Sequence, residues 1–134
     1  MHRFPIAKPR VTFDLPQIGW VKETTKSNKP WKSYNDSAPG ARAGQAPTLM
    51  RTMADGSKRP VKLDGIQGDY MIDRKWAVVN RPRSRAQILR QSAVLAEQRL
   101  IGLWEVPTPV EKTKALKLLK QMSITNIHVK VVKP

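Results

Sequence analysis

"TPVEKTKALKLLKQMSITNIHVKVV", residues 108–132, places a helix signal directly before a strand pattern, and it decides the fold class. Thr108 is the predicted N-cap, Pro109 suits the first helical position, and Glu111 completes a capping box. The helix is expected to end near residue 122 and to turn its apolar side chains inward. These side chains are Val110, Leu116, Leu119 and Met122.

The end of the same stretch has the pattern of a strand. Ile127, Val129 and Val131 alternate with other residues, as in a strand that buries one face. We expect this strand to pair with an earlier one. A helix and a strand in one short stretch predict an α+β fold.

Two further strands are predicted before residue 81. The segments VKLDGI (61–66) and DYMIDRKWAVVN (69–80) are strand-like, and Gly65 and Gly68 indicate a turn between them. In the second segment the alternate positions from Tyr70 onward are mostly apolar, as a half-buried strand requires.

A helix is predicted after these strands, from about Arg85 to Trp104, with Ser84 as its N-cap and Gln87 closing a capping box. Its apolar stripe consists of Leu89, Ala93, Ala96, Leu100 and Leu103, and Val94, Leu95 and Ile101 are expected to widen it. Residues 61–134 are therefore expected to form a small ββααβ core domain.

Residues 1–60 are predicted to form a long, irregular, basic N-terminal arm. They hold seven of the eleven prolines, and basic residues outnumber acids there by eleven to four. Proline fixes φ and lacks an amide donor, so it favours extended or turning chain. The scattered aromatic residues of this segment are expected to anchor the arm on a larger partner.

The charge of the chain indicates a polyanionic partner. It carries 25 lysines and arginines against 10 acids, a net charge of +15. Such an excess repels itself and is tolerated best when a polyanion neutralises it. The candidates are nucleic acid, an anionic membrane surface and an acidic protein. Neither predicted helix combines a continuous basic face with a bulky aromatic face, which argues against the membrane surface.

Arginines crowd the predicted start of the first helix, at Arg81, Arg83, Arg85 and Arg90. A helix N-terminus carries a partial positive charge and favours acids in its first turn. A phosphate would make this arrangement favourable, because it accepts hydrogen bonds from the free amides and from the guanidinium groups. We therefore predict a nucleic-acid contact here; solvation, or pairing with acids elsewhere in the chain, is the alternative.

Further nucleic-acid-binding residues are predicted outside that helix. In KETTKSNKPWKSYN (22–35) lysines flank aromatic rings, and such rings can stack on unpaired bases while lysine contacts phosphate. The predicted set outside the helix is Lys8, Arg10, Lys29, Trp31, Lys32, Lys58 and Arg59. RNA is favoured over DNA because no helix-turn-helix, zinc-finger or basic heptad pattern is present.

No catalytic or metal-binding set is evident in the sequence. Cysteine is absent, and two histidines, His2 and His128, are too few for a histidine-rich metal site. Asp64, Asp69 and Asp73 cluster near the predicted turn, where they are expected to stabilise turns and strand ends. We expect no enzymatic activity, no cofactor, no small-molecule substrate and no membrane insertion.

In composition and layout the chain resembles accessory proteins of mitochondrial ribosomes, which combine a compact core with a long basic, proline-rich extension. The resemblance implies a structural, rRNA-binding component of a ribosomal subunit that also contacts neighbouring ribosomal proteins in the mitochondrial matrix. It assigns no individual residue. The alternatives are an accessory structural subunit of a mitochondrial respiratory complex or ATP synthase, and a viral nucleic-acid packaging protein.

Overall fold

The computed structural model describes residues 17–23 and 25–134. They form three helices and seven strands, and the strands form two sheets. The elements are β1 (Gly19–Lys22), α1 (Pro30–Asp36), β2 (Gln45–Thr52), β3 (Lys58–Lys62), β4 (Gly65–Gln67), β5 (Tyr70–Arg74), α2 (Pro82–Gln98), β6 (Ile101–Val106), α3 (Pro109–Gln121) and β7 (Ile127–Val131). The predicted α+β class is confirmed, and the folded part is larger than ββααβ.

The expectation of an irregular arm is wrong for the described residues up to 62, which form an antiparallel sheet, β1-β2-β3, and helix α1. The prolines occupy positions that these elements tolerate. Pro30 begins α1, where its missing amide has no intrahelical partner to lose. Pro60 lies in the edge strand β3. Pro47 lies in the central strand, and its carbonyl accepts a hydrogen bond from the Leu63 amide, at 2.8 Å, just beyond β3.

The second sheet has the strand order β4-β5-β6-β7. β4 and β5 are antiparallel, whereas β5, β6 and β7 are parallel and are connected through α2 and α3. Gly68, at φ 59°, lies in the turn between β4 and β5, which confirms the predicted turn. Gly65 lies in β4 instead, where a Cβ would clash with the carbonyl of Pro39.

Helix α2 begins and ends earlier than predicted. Its N-cap is Arg81 and its first residue is Pro82, so Ser84 is the third helical residue and the predicted capping box is wrong. Arg99 adopts the left-handed conformation, at φ 57°, and ends the helix. The chain then forms β6, the strand that was missing from the predicted order.

The apolar stripe predicted for this helix is wrong at Leu89, Ala93 and Ala96, which are exposed, whereas Val94 and Leu95, expected to widen it, are buried. The side chains that α2 buries are Ile88, Gln91, Val94 and Leu95. Leu89, at the start of the predicted stripe, is 55% exposed. Leu100 is buried after the helix has ended, and Leu103 belongs to β6. The three-and-four spacing of apolar residues therefore continued across the end of the helix without marking its buried face.

The predictions for the C-terminal helix and strand are more accurate. The Thr108 hydroxyl caps α3 by accepting from the Glu111 amide at 3.2 Å, as predicted. The residues that α3 buries are Ala115, Leu118 and Leu119. Of the predicted inward set, Leu119 is correct and Met122 is partly buried, whereas Val110 and Leu116 are exposed.

The last strand is confirmed, and it pairs in parallel with β6. Ile127 is buried, and Val129 and Val131 pack against the core on the same face. The core is one cluster that joins both sheets, since Leu49 of β2 belongs to the same group of buried side chains as Trp104 of β6.

Candidate nucleic-acid interface

The start of α2 has the charge arrangement that the sequence indicates. Arg81 is extended and makes no side-chain capping hydrogen bond, and the first turn contains no acid. Arg83 is the second helical residue, and Nη1 of Arg85 donates to Oδ1 of Asn80 at 2.6 Å. Three arginines therefore surround a helix end whose partial charge is already positive.

A row of charged residues runs from this helix start along the outer side of α2. Arg83, Arg90 and Glu97 are seven residues apart, so they share one side of the helix at intervals of about 10 Å. Glu97 joins the helix to strand β2, because Oε2 accepts from the Thr52 amide at 3.0 Å and Oε1 accepts from the Thr52 hydroxyl.

The turn between β2 and β3 adds positive charge where the row ends. The hydrogen bonds from Thr52 lower the pKa of Glu97, and the positive charges of Lys58 and Arg51 lower it further, which places both cations near the carboxylate. Arg59 lies directly opposite Arg51 in the ladder between the two strands. Like charges in this position repel each other, and a bound anion would relieve the repulsion.

We call the surface formed by Arg51, Lys58, Arg59, Arg83 and Arg90 the helix–hairpin surface. Four of its members were predicted from the sequence. Arg51 was missed because the β2–β3 hairpin was not recognised. The signal was present: Asp55-Gly56 is a typical hairpin turn, and Gly56 has φ 84°. Lys58 is partly engaged, since its ammonium donates to the Thr52 hydroxyl.

The other predicted residues do not join this surface. Trp31 and Lys32 line a separate cleft of about 1020 Å³ between β1, α1 and the segment before β2. Lys32 forms an ion pair with Asp36 at 2.7 Å. Lys29 is the N-cap of α1. Lys8 and Arg10 lie outside the described residues.

The same cleft carries additional positive charge, and its aromatic content is smaller than the sequence suggested. Lys22, Lys26 and Arg42 also line it, and the Arg42 guanidinium lies 3.9 Å from the centre of the Trp20 ring. Tyr34, which the sequence placed among the aromatic rings available for stacking, is buried. Its hydroxyl donates to the Val132 carbonyl at 2.8 Å.

Several acids of the described chain are engaged within the fold, and two of them, Glu105 and Glu111, accept hydrogen bonds from distant parts of the chain. Glu105 accepts from Nε of Arg74 at 2.8 Å, with both side chains buried. Glu111 accepts from the Val78 amide at 2.7 Å. Burial opposes ionisation of Glu111, but this hydrogen bond and Lys114 lower its pKa.

A polar network beneath the cleft occupies two more acids. Asp73 accepts from Nε2 of Gln91 at 2.9 Å, and Gln91 in turn accepts from the Trp104 indole at 2.7 Å. Asp64 accepts from the Arg74 amide at 2.7 Å. Burial, reinforced by the neighbouring charge of Asp73, raises the pKa of Asp64 to about 8. The raised pKa favours the protonated, uncharged form of this carboxyl at neutral pH.

The exposed arginines of α2 have no such partners. Within residues 17–23 and 25–134 there are four ion pairs, and none of them involves Arg81, Arg83, Arg85 or Arg90. The predicted alternative, that acids elsewhere in the chain neutralise them, does not hold among the described residues. An anion that meets α2 would find Arg83 and Arg90 exposed and without an ion pair among the described residues, whereas Arg85 is partly buried and donates to Asn80.

Neither a metal site nor a membrane span is found in the part of the chain that the structure describes. No three carboxylate or histidine side chains there converge to hold a metal ion, and none of the helices is long and apolar enough to cross a bilayer. No protein-family model matches the chain, and searches of the curated proteins and of the solved structures gave no significant match.

Proposed function

We propose that this protein is a structural RNA-binding component of a ribosomal subunit, located in the mitochondrial matrix, that contacts rRNA and neighbouring ribosomal proteins. One observation carries the proposal. Asp64, Asp73, Glu105 and Glu111 are engaged inside the fold. Arg83 and Arg90 form an exposed row along α2 toward Glu97, and Arg51 and Lys58 lie beside that carboxylate. Phosphate is the anion that suits this arrangement, because guanidinium groups bind its oxygens in pairs.

Exposed apolar side chains support the protein contacts in this proposal. Leu89, Val110 and Leu116 are 55%, 67% and 49% exposed. These side chains are free to pack against neighbouring proteins in an assembly. They fit equally well with a subunit of a respiratory complex or ATP synthase, so the partner of the arginines decides between the two assignments.

Salt-dependent RNA binding tests the role of the helix–hairpin surface. Binding of the full chain to a labelled RNA hairpin is measured by fluorescence anisotropy between 50 and 300 mM salt. If both arginines contact phosphate, the variant Arg83→Gln/Arg90→Gln should reduce the log–log slope by about 1.8, because each duplex phosphate contributes roughly 0.9. The matched control is Lys117→Gln/Lys120→Gln on α3, which removes the same charge from another helix.

The control separates a defined surface from general charge attraction. A smaller slope in the arginine variant alone supports the helix–hairpin surface, and equal losses in both variants contradict it. In cells, ultraviolet crosslinking followed by RNA sequencing and mass spectrometry should recover rRNA together with ribosomal proteins. Recovery of proton-pumping or ATP synthase subunits without RNA would replace this assignment with the alternative.

A further inference from the structure

The parallel part of the second sheet is covered unevenly. On one face, Trp104, Val106 and Ile127 are buried in the core with residues of α2 and α3. On the opposite face, α1 lies over Arg74, whose Nη1 donates to the Tyr34 carbonyl at 3.0 Å. Parallel sheets are almost always covered on both faces, so the open remainder of this face calls for a partner.

The open remainder is formed by Tyr70, Ile101, Leu103, His128 and Lys130, which share one face through the strand register. We call it the sheet surface. His128 and Lys130 are exposed, Tyr70 is 36% exposed, and the two aliphatic side chains between them are half-buried. It therefore presents two rings, an apolar floor and a cation.

The two rings lie close together across the intervening strand. Tyr70 in β5 and His128 in β7 are two strand spacings apart across the sheet and two residues apart along it, so their backbones are about 11.5 Å apart. Their ring centres are only 6.3 Å apart, with planes tilted by 57°. Both side chains therefore lean over β6, where they cover part of the aliphatic floor and keep their outer faces open.

The charges around the sheet surface favour an anionic partner. Lys130 follows His128 by two residues and lies on the same face. The carboxylate in its row, Glu105, is buried and paired with Arg74. Asp69 lies outside the strands, in the turn at the edge of the surface. A net charge of +15 further favours nucleic acid over an apolar protein partner.

We infer that the sheet surface binds unpaired bases of single-stranded RNA, which stack on Tyr70 and His128 while Lys130 contacts the backbone phosphate. The inference rests on the proposed function and adds a second, single-strand site to it. Aromatic side chains on a sheet are a recurrent way to hold unpaired bases, and stacking tolerates any base because each has a π face.

Parallel titrations with a single-stranded RNA and a duplex of equal length test this inference. The full chain and the variants Tyr70→Ala, His128→Ala and the double variant are compared at one salt concentration, after circular dichroism has shown that each is folded. A duplex hides its base faces, so only single-strand binding should weaken, by roughly 5-fold or more for each ring. Tyr70→Phe keeps a stacking ring and should bind like the wild type. Leu116→Ala, an exposed apolar truncation on α3, is the matched control.

The outcomes separate the two proposals. Single-strand affinity that falls only when a ring is lost supports the sheet surface. Unchanged single-strand binding, or equal losses on both RNAs, overturns it while the helix–hairpin surface stands, and a protein partner then covers this face. If the wild-type chain binds neither RNA at near-physiological salt, the proposed function fails and the sheet surface fails with it.

Discussion

Two arginines of this chain, Arg74 in β5 and Arg83 in α2, have opposite surroundings. Arg74 is buried, and its guanidinium donates to Glu105, to the Tyr34 carbonyl and to the Ser37 hydroxyl at 2.8–3.1 Å. Arg83 is exposed at a helix start, with no ion pair in the part of the chain that the structure describes. The fold therefore supplies partners for the cation that it buries, whereas Arg83 on the surface forms no ion pair among the described residues.

The largest effect is expected at the buried ion pair between Arg74 and Glu105. Glu105→Gln keeps the shape of the side chain but leaves the Arg74 charge buried without its counter-ion. Removing one partner of a buried ion pair costs about 3–5 kcal/mol. Urea unfolding should show this loss in the free energy of unfolding. Asp69→Asn is the same chemical change at an exposed turn, and it should alter that free energy by less than about 0.5 kcal/mol.

Asp64 gives the next largest effect, and it depends on pH. Its folded pKa of about 8 lies above the ordinary aspartate value of 3.8, so the folded state binds more protons between these values. Stability should therefore be full below pH 4 and fall as pH rises to 8. Asp64→Asn should remove this decline and raise the free energy of unfolding at pH 9 by roughly 1 kcal/mol or more. A wild-type stability that rises over the same pH range would contradict the burial of this carboxyl.

The boundaries of α2 and α3 show what local sequence signals can and cannot predict. Thr108, Pro109 and Glu111 predicted the start of α3, because capping depends on residues that are neighbours in sequence. The start of α2 was missed because Ser84 fits a cap equally well in isolation, and Pro82 decided the boundary. The end of α2 depends on the backbone of Arg99, whose left-handed conformation its residue type does not favour.

The candidate site was predicted only in part, because some of its features depend on residue type alone and others depend on the fold. Charge is visible in the sequence, so the arginines of α2 were found without knowledge of the fold. Arg51 joins them only because the hairpin places it opposite Arg59. Tyr70 and His128 lie 58 residues apart in the sequence (128 − 70) and meet across a strand that was not predicted. Contacts of this kind depend on topology, which local patterns do not encode.

A smaller loss of stability is expected at Tyr34, which packs against the buried Arg74. This ring comes from the segment predicted to be irregular, yet it lies against the guanidinium of Arg74, 4.6 Å from the ring centre. Tyr34→Phe keeps the ring and removes the hydroxyl that donates to the Val132 carbonyl. The expected cost is about 1 kcal/mol, measured by urea unfolding. Tyr70→Phe removes an exposed hydroxyl, so an equal loss in that control would mean that the Val132 hydrogen bond contributes nothing specific.

The smallest expected effect has the opposite sign, and it tests the exposed half of the comparison. Arg83 is the second residue of α2, where the partial positive charge of the helix N-terminus disfavours a cation. Arg83→Glu should therefore raise the free energy of unfolding by about 0.3–1 kcal/mol at low salt, and the gain should shrink as salt screens it.

The same change should weaken RNA binding, because it places a carboxylate where a phosphate is expected. Arg83→Gln removes the charge without reversing it, so its stability and its RNA affinity should lie between those of the wild type and those of Arg83→Glu. If Arg83→Glu gains stability and keeps full RNA affinity, Arg83 does not contact phosphate. The helix would then carry this unfavourable charge for a reason other than RNA binding.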